Sequence, residues 1–359
     1  MRPINITYNN LSAEERIIAV QRLTALWAFI ECGLGGALHA LQIPFTGLVV
    51  GGLAVIIIIF IAKVSGKKYS QILKSVIIVL IVKAMVSPHT PLPAYVAVCF
   101  QAFMGFTIFS LFSINFISIL LLAVIAMIES AVQKLIILTL FFGESIWKSI
   151  DIFIEFIGQQ IGLSHANGSQ WVITIYLTIY VTGGICIALL AFKTLKKISV
   201  ENKIMALSDD TIFDKEHFFR NVKKTKNCRN KLLLFTIVSI TISVILLIFS
   251  PQIKEGWLKV LKSICWTLTA IIAWYMILNP LFTKFIQVTL RKKQSRYSEE
   301  VLKILSLLPV LRHLTIRAWK KSSLHKGRER WQYFIITLLH WALTYTDYNV
   351  SDPPLKNQL

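Results

Sequence analysis

The chain has 359 residues, of which 55% are hydrophobic and 16% are charged. An ordinary soluble domain carries about 25% charged residues, so this composition excludes a typical soluble fold and indicates a membrane protein. Its 38 Lys and Arg residues against 18 Asp and Glu residues give a formal charge of +20, which in a soluble chain would favour a nucleic-acid partner. In a membrane chain topology explains the positive residues instead, so no nucleic-acid partner is expected.

Apolar runs long enough to cross a bilayer recur along the chain. A helix of about 18 residues or more crosses a hydrocarbon core of about 30 Å. Ser12 and Glu15 predict a capping box ahead of the first span, and the prolines of 88–93 predict a stop between the third and the fourth. The hydrophobic windows predict eight spans, at 25–43, 45–62, 71–86, 93–112, 114–142, 170–192, 232–249 and 257–280. The predicted fold class is all-α: a polytopic helical membrane protein with about eight transmembrane helices, a six-helix bundle plus two.

Positive residues are concentrated in alternate connections between these spans. There are 3 in residues 1–24, 4 in 63–74, 11 in 193–231 and 13 in 284–330. There is no Lys or Arg in the connection 87–92, and there is one in each of the connections 143–169 and 250–256. Because Lys and Arg near span ends stay on the cytoplasmic side, both termini are predicted to be cytoplasmic. We expect a multi-pass protein of the cell (inner) membrane.

The spans and charges divide the chain into four parts. We expect a six-span membrane bundle at 1–192, a basic cytoplasmic connector at 193–231, a two-span segment at 232–280 and a basic amphipathic cytoplasmic or interfacial region at 281–359. In the last part an apolar stripe predicts a helix over 298–320, which Pro309 must kink or split. The run 331–346 is expected in the interface, although a ninth crossing that places the C-terminus outside stays open.

Polar and ionisable residues inside the predicted spans are the candidates for chemistry, because a charge near the bilayer centre costs about 2.5–3.5 kcal/mol on insertion scales. Several fall in the outer half and can converge on an outward-opening pocket, and Glu31 is a further ionisable residue in the first span. Two alternatives stay open: a structural role, with Glu129 paired to Lys83 or Lys134, and a proton or ion path through His39 and Glu129. The candidate substrate-binding residues are His39, Lys83, Gln101, Glu129, Gln133 and Lys134.

Small residues form a second pattern in the first span. Gly33 and Ala37 are four residues apart, and so are Gly36 and Ala40. This spacing lets helices approach closely in lipid. It predicts packing within the bundle or docking of another membrane subunit.

Motifs for catalysis are missing from the sequence. It holds no Walker loop, no HExxH, no GxSxG and no aspartate-rich prenyl-diphosphate motif, so the chain is not expected to hydrolyse ATP or to act as an enzyme. An enzyme acting on lipid is the weakest alternative. Asp151 and Glu155 stand one turn apart in an amphipathic outer helix over 144–161, where a solvated face is favoured over a catalytic pair. The five scattered cysteines predict neither a disulfide framework nor a metal site, and no cofactor is expected.

The first 192 residues resemble the substrate-binding S component of energy-coupling-factor (ECF) vitamin transporters. The shared features are six spans, a cytoplasmic N-terminus, a small-residue segment, here 33–40, and a polar outer half. In that family the pocket binds a vitamin or similar small molecule, and the small-residue surface meets a transmembrane partner. The resemblance implies a small-molecule substrate, with ATPase and transmembrane partner subunits. It gives His39, Lys83, Gln101, Glu129 and Gln133 roles in the pocket.

The last 160 or so residues depart from the S component. Two more spans followed by basic amphipathic helices are similar to the transmembrane T component, whose cytoplasmic helices grip the ATPases. Arg312, Arg317 and Arg328 are candidate contacts to a cytoplasmic partner, although the residues that flank Arg317 and Arg328 do not match that family's arginine signatures. The leading function is uptake of a small molecule, energised by separate partners or by an ion gradient. The alternative is a non-transporting membrane scaffold or anchor, whose basic regions recruit partners or anionic membrane lipid.

Overall fold

The computed structural model describes residues 12–40, 45–87, 90–160, 167–200 and 296–344, with a few isolated positions between 267 and 289. The described residues form helices and contain no β strand, which confirms the all-α prediction. Most of the connector 193–231 and of the two-span segment 232–280 lies outside the described residues. Those two assignments stay predictions.

The helices from α1 to α8 follow one another with short connections, and a π-helical turn, Ile30–Leu34, joins the first to the second. Most residues between α8 and α9 lie outside the described part of the chain. They are α1 (Ala13–Phe29), α2 (Gly35–Ala40), α3 (Thr46–Val64), α4 (Ser70–Val86), α5 (Leu92–Leu111), α6 (Phe116–Phe142), α7 (Ser145–Gln160), α8 (Gly168–Val200), α9 (Ser298–Ser322) and α10 (Gly327–Thr344).

Five segments of the described residues are long and apolar enough to cross a membrane. They are Ala13–Leu38, Thr46–Val64, Leu92–Leu111, Phe116–Phe142 and Gly168–Ile198. Helix α4, the third predicted span, has 17 residues and is slightly shorter than the roughly 18 that a crossing normally needs. Five long apolar helices indicate a membrane-embedded protein.

Local sequence signals set the helix starts. The Ser12 hydroxyl accepts a hydrogen bond from the Glu15 backbone N–H at 3.2 Å, and the Glu15 carboxylate accepts one from the Ser12 backbone N–H at 2.8 Å. The predicted capping box is therefore confirmed. Pro91 precedes α5 and Pro93 lies in its first turn, where a missing backbone N–H leaves no intrahelical hydrogen bond unmade.

Helix α3 lies at the centre of the bundle, in contact with α1, α5, α6 and α8. Residues 54–62 of α3 are buried on all sides, as expected for a helix that is apolar all round. Phe103 of α5, Ile136 of α6 and Ile175 of α8 are exposed on the outside of this arrangement. These outward apolar faces are the ones that a bilayer would cover.

Helices α9 and α10 pack against each other and against α1, and they also contact α4 and α8 respectively. The Arg22 guanidinium of α1 donates a hydrogen bond to the backbone oxygen of Leu343. Lys74 Nζ of α4 lies 3.0 Å from Glu300 Oε1 of α9. The pair thus docks where α1 and α4 begin and where α8 ends, which we call the basic end of the bundle. Its basic residues include Arg16, Arg22, Lys67, Lys68, Lys74, Lys196 and Lys197.

Helix α9 runs without interruption through Pro309, so the proline does not split the predicted helix. Most of residues 334–343 in α10 are buried against the rest of the protein. The described part of the predicted interfacial run 331–346, which ends at residue 344, is therefore covered on one side by α1, α8 and α9.

Candidate functional site

A buried ion pair joins the first helix to α4. Glu31 lies in the π-helical turn, and Lys83 lies in the last turn of α4. The Lys83 Nζ is 2.6 Å from the Glu31 Oε2, and each side chain is 4% exposed. A charge buried this deeply requires a partner of opposite sign. Lys83, one of the predicted substrate ligands, is therefore held by Glu31, an ionisable residue of the first predicted span for which no role was predicted.

An aromatic ring lies next to this ion pair. The Lys83 Nζ is 5.7 Å from the centroid of the Tyr95 ring of α5, within the range of a cation–π interaction. Glu31 occupies a π-helical turn, an irregularity that occurs frequently at functional sites. Three segments of the bundle thus meet at one charged centre.

A second polar group lies against the central helix. Gln101 of α5 is 2% exposed, and its buried Oε1 has no hydrogen-bond partner among the described residues. A Cβ atom added at Gly51 of α3 would lie 2.9 Å from the Gln101 Nε2, and one added at Gly47 would lie 3.3 Å from the Ser130 Cβ of α6. Because these two glycines lack side chains, two polar residues fit against an otherwise apolar helix.

Glu129 and Gln133 continue the polar surface along α6. The Gln133 Nε2 donates a hydrogen bond to the Pro93 backbone oxygen, at the start of α5, over 3.0 Å. Glu129 lies one turn before Gln133 on the same face of α6, and within the described part of the chain its buried Oε2 has no hydrogen-bond partner. The boundary between α5 and α6, which we call the α5–α6 seam, therefore carries two orphaned oxygens, one from Glu129 and one from Gln101.

The other predicted substrate ligands are placed differently. Lys134 is exposed on α6. The side chains of His39 and Ala40 lie outside the described residues. The structure therefore brings Gln101, Glu129 and Gln133 to one seam, while Lys83 is engaged by Glu31.

The predicted small-residue stripe faces outward in part. Gly33 and Ala37 are exposed, and Gly36 is half-buried. The α6 and α8 backbones approach closely at Gly184 of α8, where an added Cβ would lie 3.0 Å from the Val124 Cα of α6. Sequence reasoning missed Gly184, although the Gly183-Gly184 pair inside the predicted sixth span was the signal that could have found it.

Asp151 holds the start of α8. Its Oδ1 accepts a hydrogen bond from the Ser169 backbone N–H at 2.6 Å, and this bond lowers the pKa of Asp151 below its ordinary value. Glu155, the other half of the predicted carboxylate pair, is exposed on α7. The geometry favours a structural role for Asp151, consistent with the preference for a solvated face over a catalytic pair.

The candidate partner-contact arginines lie on the α9–α10 pair. Arg312 is exposed and Arg317 is half-buried. Burial, followed by the nearby charge of Arg317, lowers the pKa of His313. The side chain of Arg328 lies outside the described residues.

Together these features define an all-helical, membrane-embedded class of protein with polar groups buried between its helices. No family model, no curated protein and no solved structure matches the chain. Any function must therefore be argued from the site itself.

Proposed function

We propose that the protein is a membrane transport component for the uptake of a small molecule, with its substrate contacts at the α5–α6 seam. The supporting observation is the pair of orphaned oxygens, Gln101 Oε1 and Glu129 Oε2. A buried polar atom without a partner destabilises a protein by about 1–3 kcal/mol. Polar and ionisable residues inside membrane segments commonly mark substrate or ion pathways. A substrate bearing hydroxyl, amide or ammonium donors would satisfy both oxygens.

Entry of the substrate requires the seam to open, because Gln101 is only 2% exposed. The hydrogen bond from Gln133 to the Pro93 oxygen closes the end of the seam. Pro93 follows the connection 87–92, which is predicted to face outward because it holds no Lys or Arg. Opening of the seam from this end would therefore break this bond.

The wider arrangement follows the resemblance to ECF S components. We propose a multi-pass inner-membrane protein with eight spans and both termini in the cytoplasm, energised by ATPase and transmembrane partner subunits or by an ion gradient. Co-purification of ATPase subunits would support this arrangement. A bound soluble enzyme with no ATPase would favour the scaffold alternative.

The substrate site is tested with Glu129→Gln, which removes the charge and keeps the shape. Thermal unfolding of the purified protein is measured with and without water-soluble vitamins, amino acids and polyamines. We expect the parent to be stabilised by a ligand of this set, because a ligand that binds only the folded state raises its stability. The variant should fold at least as well as the parent and lose that response, whereas Glu155→Gln, at an exposed carboxylate of α7, should keep it.

Two results would contradict the assignment. One is a ligand that stabilises the parent, Glu129→Gln and Gln101→Leu equally. The other is a clearly destabilised Glu129→Gln protein that is rescued by neutralising Lys134, since this would show a structural ion pair.

The topology is tested by cysteine labelling of intact cells. Single cysteines at Ser87 and His165 should react with a membrane-impermeant reagent, and one at Asp209 should not. Labelling of the Asp209 position alone would reverse the orientation and place the seam's open end in the cytoplasm.

A further inference from the structure

The turn between α9 and α10 presents large apolar side chains at its surface. Leu324, in the turn itself, is 84% exposed, and Trp331 of α10 is 54% exposed. Trp319 of α9 packs edge to face on Trp331, with ring centroids 5.2 Å apart, and the Arg330 guanidinium lies 4.3 Å from the Trp319 ring centroid. We call residues 319–331 the hairpin tip. Large apolar side chains exposed together at one turn favour an interaction surface.

The hairpin tip is strongly basic. Residues 319–331 contain five Lys or Arg and one Glu, a formal charge of +4. Lys320 and Lys326 are exposed, and Lys321 Nζ lies 5.4 Å from the Trp341 ring centroid. Tryptophan is enriched at the membrane–water interface, and basic residues are attracted to anionic headgroups. The hairpin tip therefore has the composition of a segment that binds an anionic bilayer surface: exposed leucine and tryptophan among lysines.

The position of the α9–α10 pair places the tip near such a surface. The candidate span Ala13–Leu38 has 26 residues. A helix of that length is about 39 Å long and exceeds a hydrocarbon core of about 30 Å. Because the apolar window of this helix begins at residue 25, Arg22 and the turns before it are expected outside the core. Arg22 of this segment binds the Leu343 oxygen, and with Leu311 and Leu314 it lines a cavity of about 10 Å³, room for about one water molecule. The α9–α10 pair consequently packs on α1 at the level of the interface.

We infer that the hairpin tip inserts into the membrane–water interface beside the bundle and binds anionic phospholipid. Leu324 and the two tryptophans enter the boundary between headgroups and acyl chains, while Lys320 and Lys326 contact the lipid phosphates. This anchor holds α9 and α10 against the basic end of the bundle. It is independent of the proposed transport function, because none of its residues lies at the α5–α6 seam.

The test uses the full-length protein with Leu324→Cys in a background whose native cysteines are changed to serine. The single cysteine carries an environment-sensitive fluorophore, and the protein is placed in nanodiscs of phosphatidylcholine alone or mixed with phosphatidylglycerol. We expect blue-shifted emission and quenching by spin-labelled lipid in the phosphatidylglycerol discs at low salt. Both signals should weaken in neutral discs and with added salt, because salt screens the attraction.

Charge reversal supplies the matched control. Lys320→Glu with Lys326→Glu should reduce the lipid quenching severalfold, since each basic residue near an anionic surface changes binding by about fivefold. Lys148→Glu, at an exposed lysine of α7, should leave it unchanged. Equal emission in neutral and anionic discs would overturn the inference. So would full quenching by aqueous iodide, or a blue shift that requires an added soluble protein.

Discussion

The Glu31–Lys83 ion pair gives the sharpest test of the fold. Changing Lys83 to Met keeps the length of the side chain and removes its charge, so the Glu31 carboxylate loses a partner 2.6 Å away. Each side chain is only 4% exposed, so water cannot replace that partner without opening the bundle. Removal of one member of a buried ion pair typically destabilises a protein by about 3–5 kcal/mol.

Replacing both members should restore most of that loss. Glu31→Leu combined with Lys83→Met removes both charges, and apolar replacements of similar volume for a buried pair are often close to neutral in stability. The two single variants and the double variant form a cycle that isolates the coupling between the two residues. Equilibrium unfolding of the purified proteins in mixed detergent micelles measures each free energy. Lys148→Met serves as the control, because its partner Glu144 lies 3.2 Å away in a pair that is 73% and 84% exposed.

Two results would refute this reasoning. If Lys83→Met unfolds at the same detergent concentration as the parent, the ion pair does not form in the folded protein. If the double variant loses as much stability as the sum of the single variants, the two residues are not coupled. Lys83 would then return to the set of candidate substrate ligands.

Two further predictions concern helix packing and pH. Gly184→Ala should lower the free energy of unfolding by about 1–3 kcal/mol, because its Cβ would meet the α6 backbone at 3.0 and 3.1 Å. Gly36→Ala is the control in the same assay and should have no such effect, because its Cβ would come no closer than 3.9 Å to the Ser87 Oγ. Partial burial raises the pKa of Glu300, but the hydrogen bond and charge of Lys74 outweigh it, so that this pKa is lowered in the folded protein. The resulting stabilisation is present above the unfolded-state pKa of about 4.3 and is lost as the pH falls through the folded-state pKa. It should not exceed about 1 kcal/mol, since Lys74 is 43% exposed and Glu300 25% exposed. Glu300→Gln should abolish this component of the acid dependence; an unchanged unfolding profile below about pH 5 would show that the pair contributes nothing.

Much of the helix layout could be predicted because its signals are local. The windows 71–86 and 114–142 correspond to helices Ser70–Val86 and Phe116–Phe142. Hydrophobic length, the capping box at Ser12 and the proline run at 88–93 each act within a few residues. Such signals need no knowledge of the partner helices.

The partner of Lys83 could not be predicted in the same way. Two carboxylates, Glu31 and Glu129, lie in the predicted spans, and the sequence alternatives paired Lys83 with Glu129. The choice depends on how each helix is rotated about its axis. The π-helical turn at Ile30–Leu34 alters that rotation by inserting residues that regular α-helical spacing does not anticipate. Glu31 lies inside this turn, so its direction could not be read from the period of the sequence.

The stripe on 298–320 predicted an amphipathic helix without saying what covers it. Val301, Ile304 and Leu311 of this helix are buried, and α9 packs against α1 and α10. An apolar stripe can be covered by the membrane–water interface or by another segment of the protein. The packing of α9 on α1, together with the ion pair between Lys74 and Glu300, shows that the bundle itself receives this face.

The hydrogen bond between Arg22 and the Leu343 oxygen also bears on how the protein is synthesised. Its two residues are 321 positions apart in the chain. At about 5–20 residues per second, a ribosome adds the second of them roughly 16–64 s after the first. The first helix therefore enters the membrane and can contact α3 and α4 well before α10 exists. Helix α1 cannot pack against α10 until translation is nearly complete. The first helix to be synthesised is therefore among the last to reach its final packing.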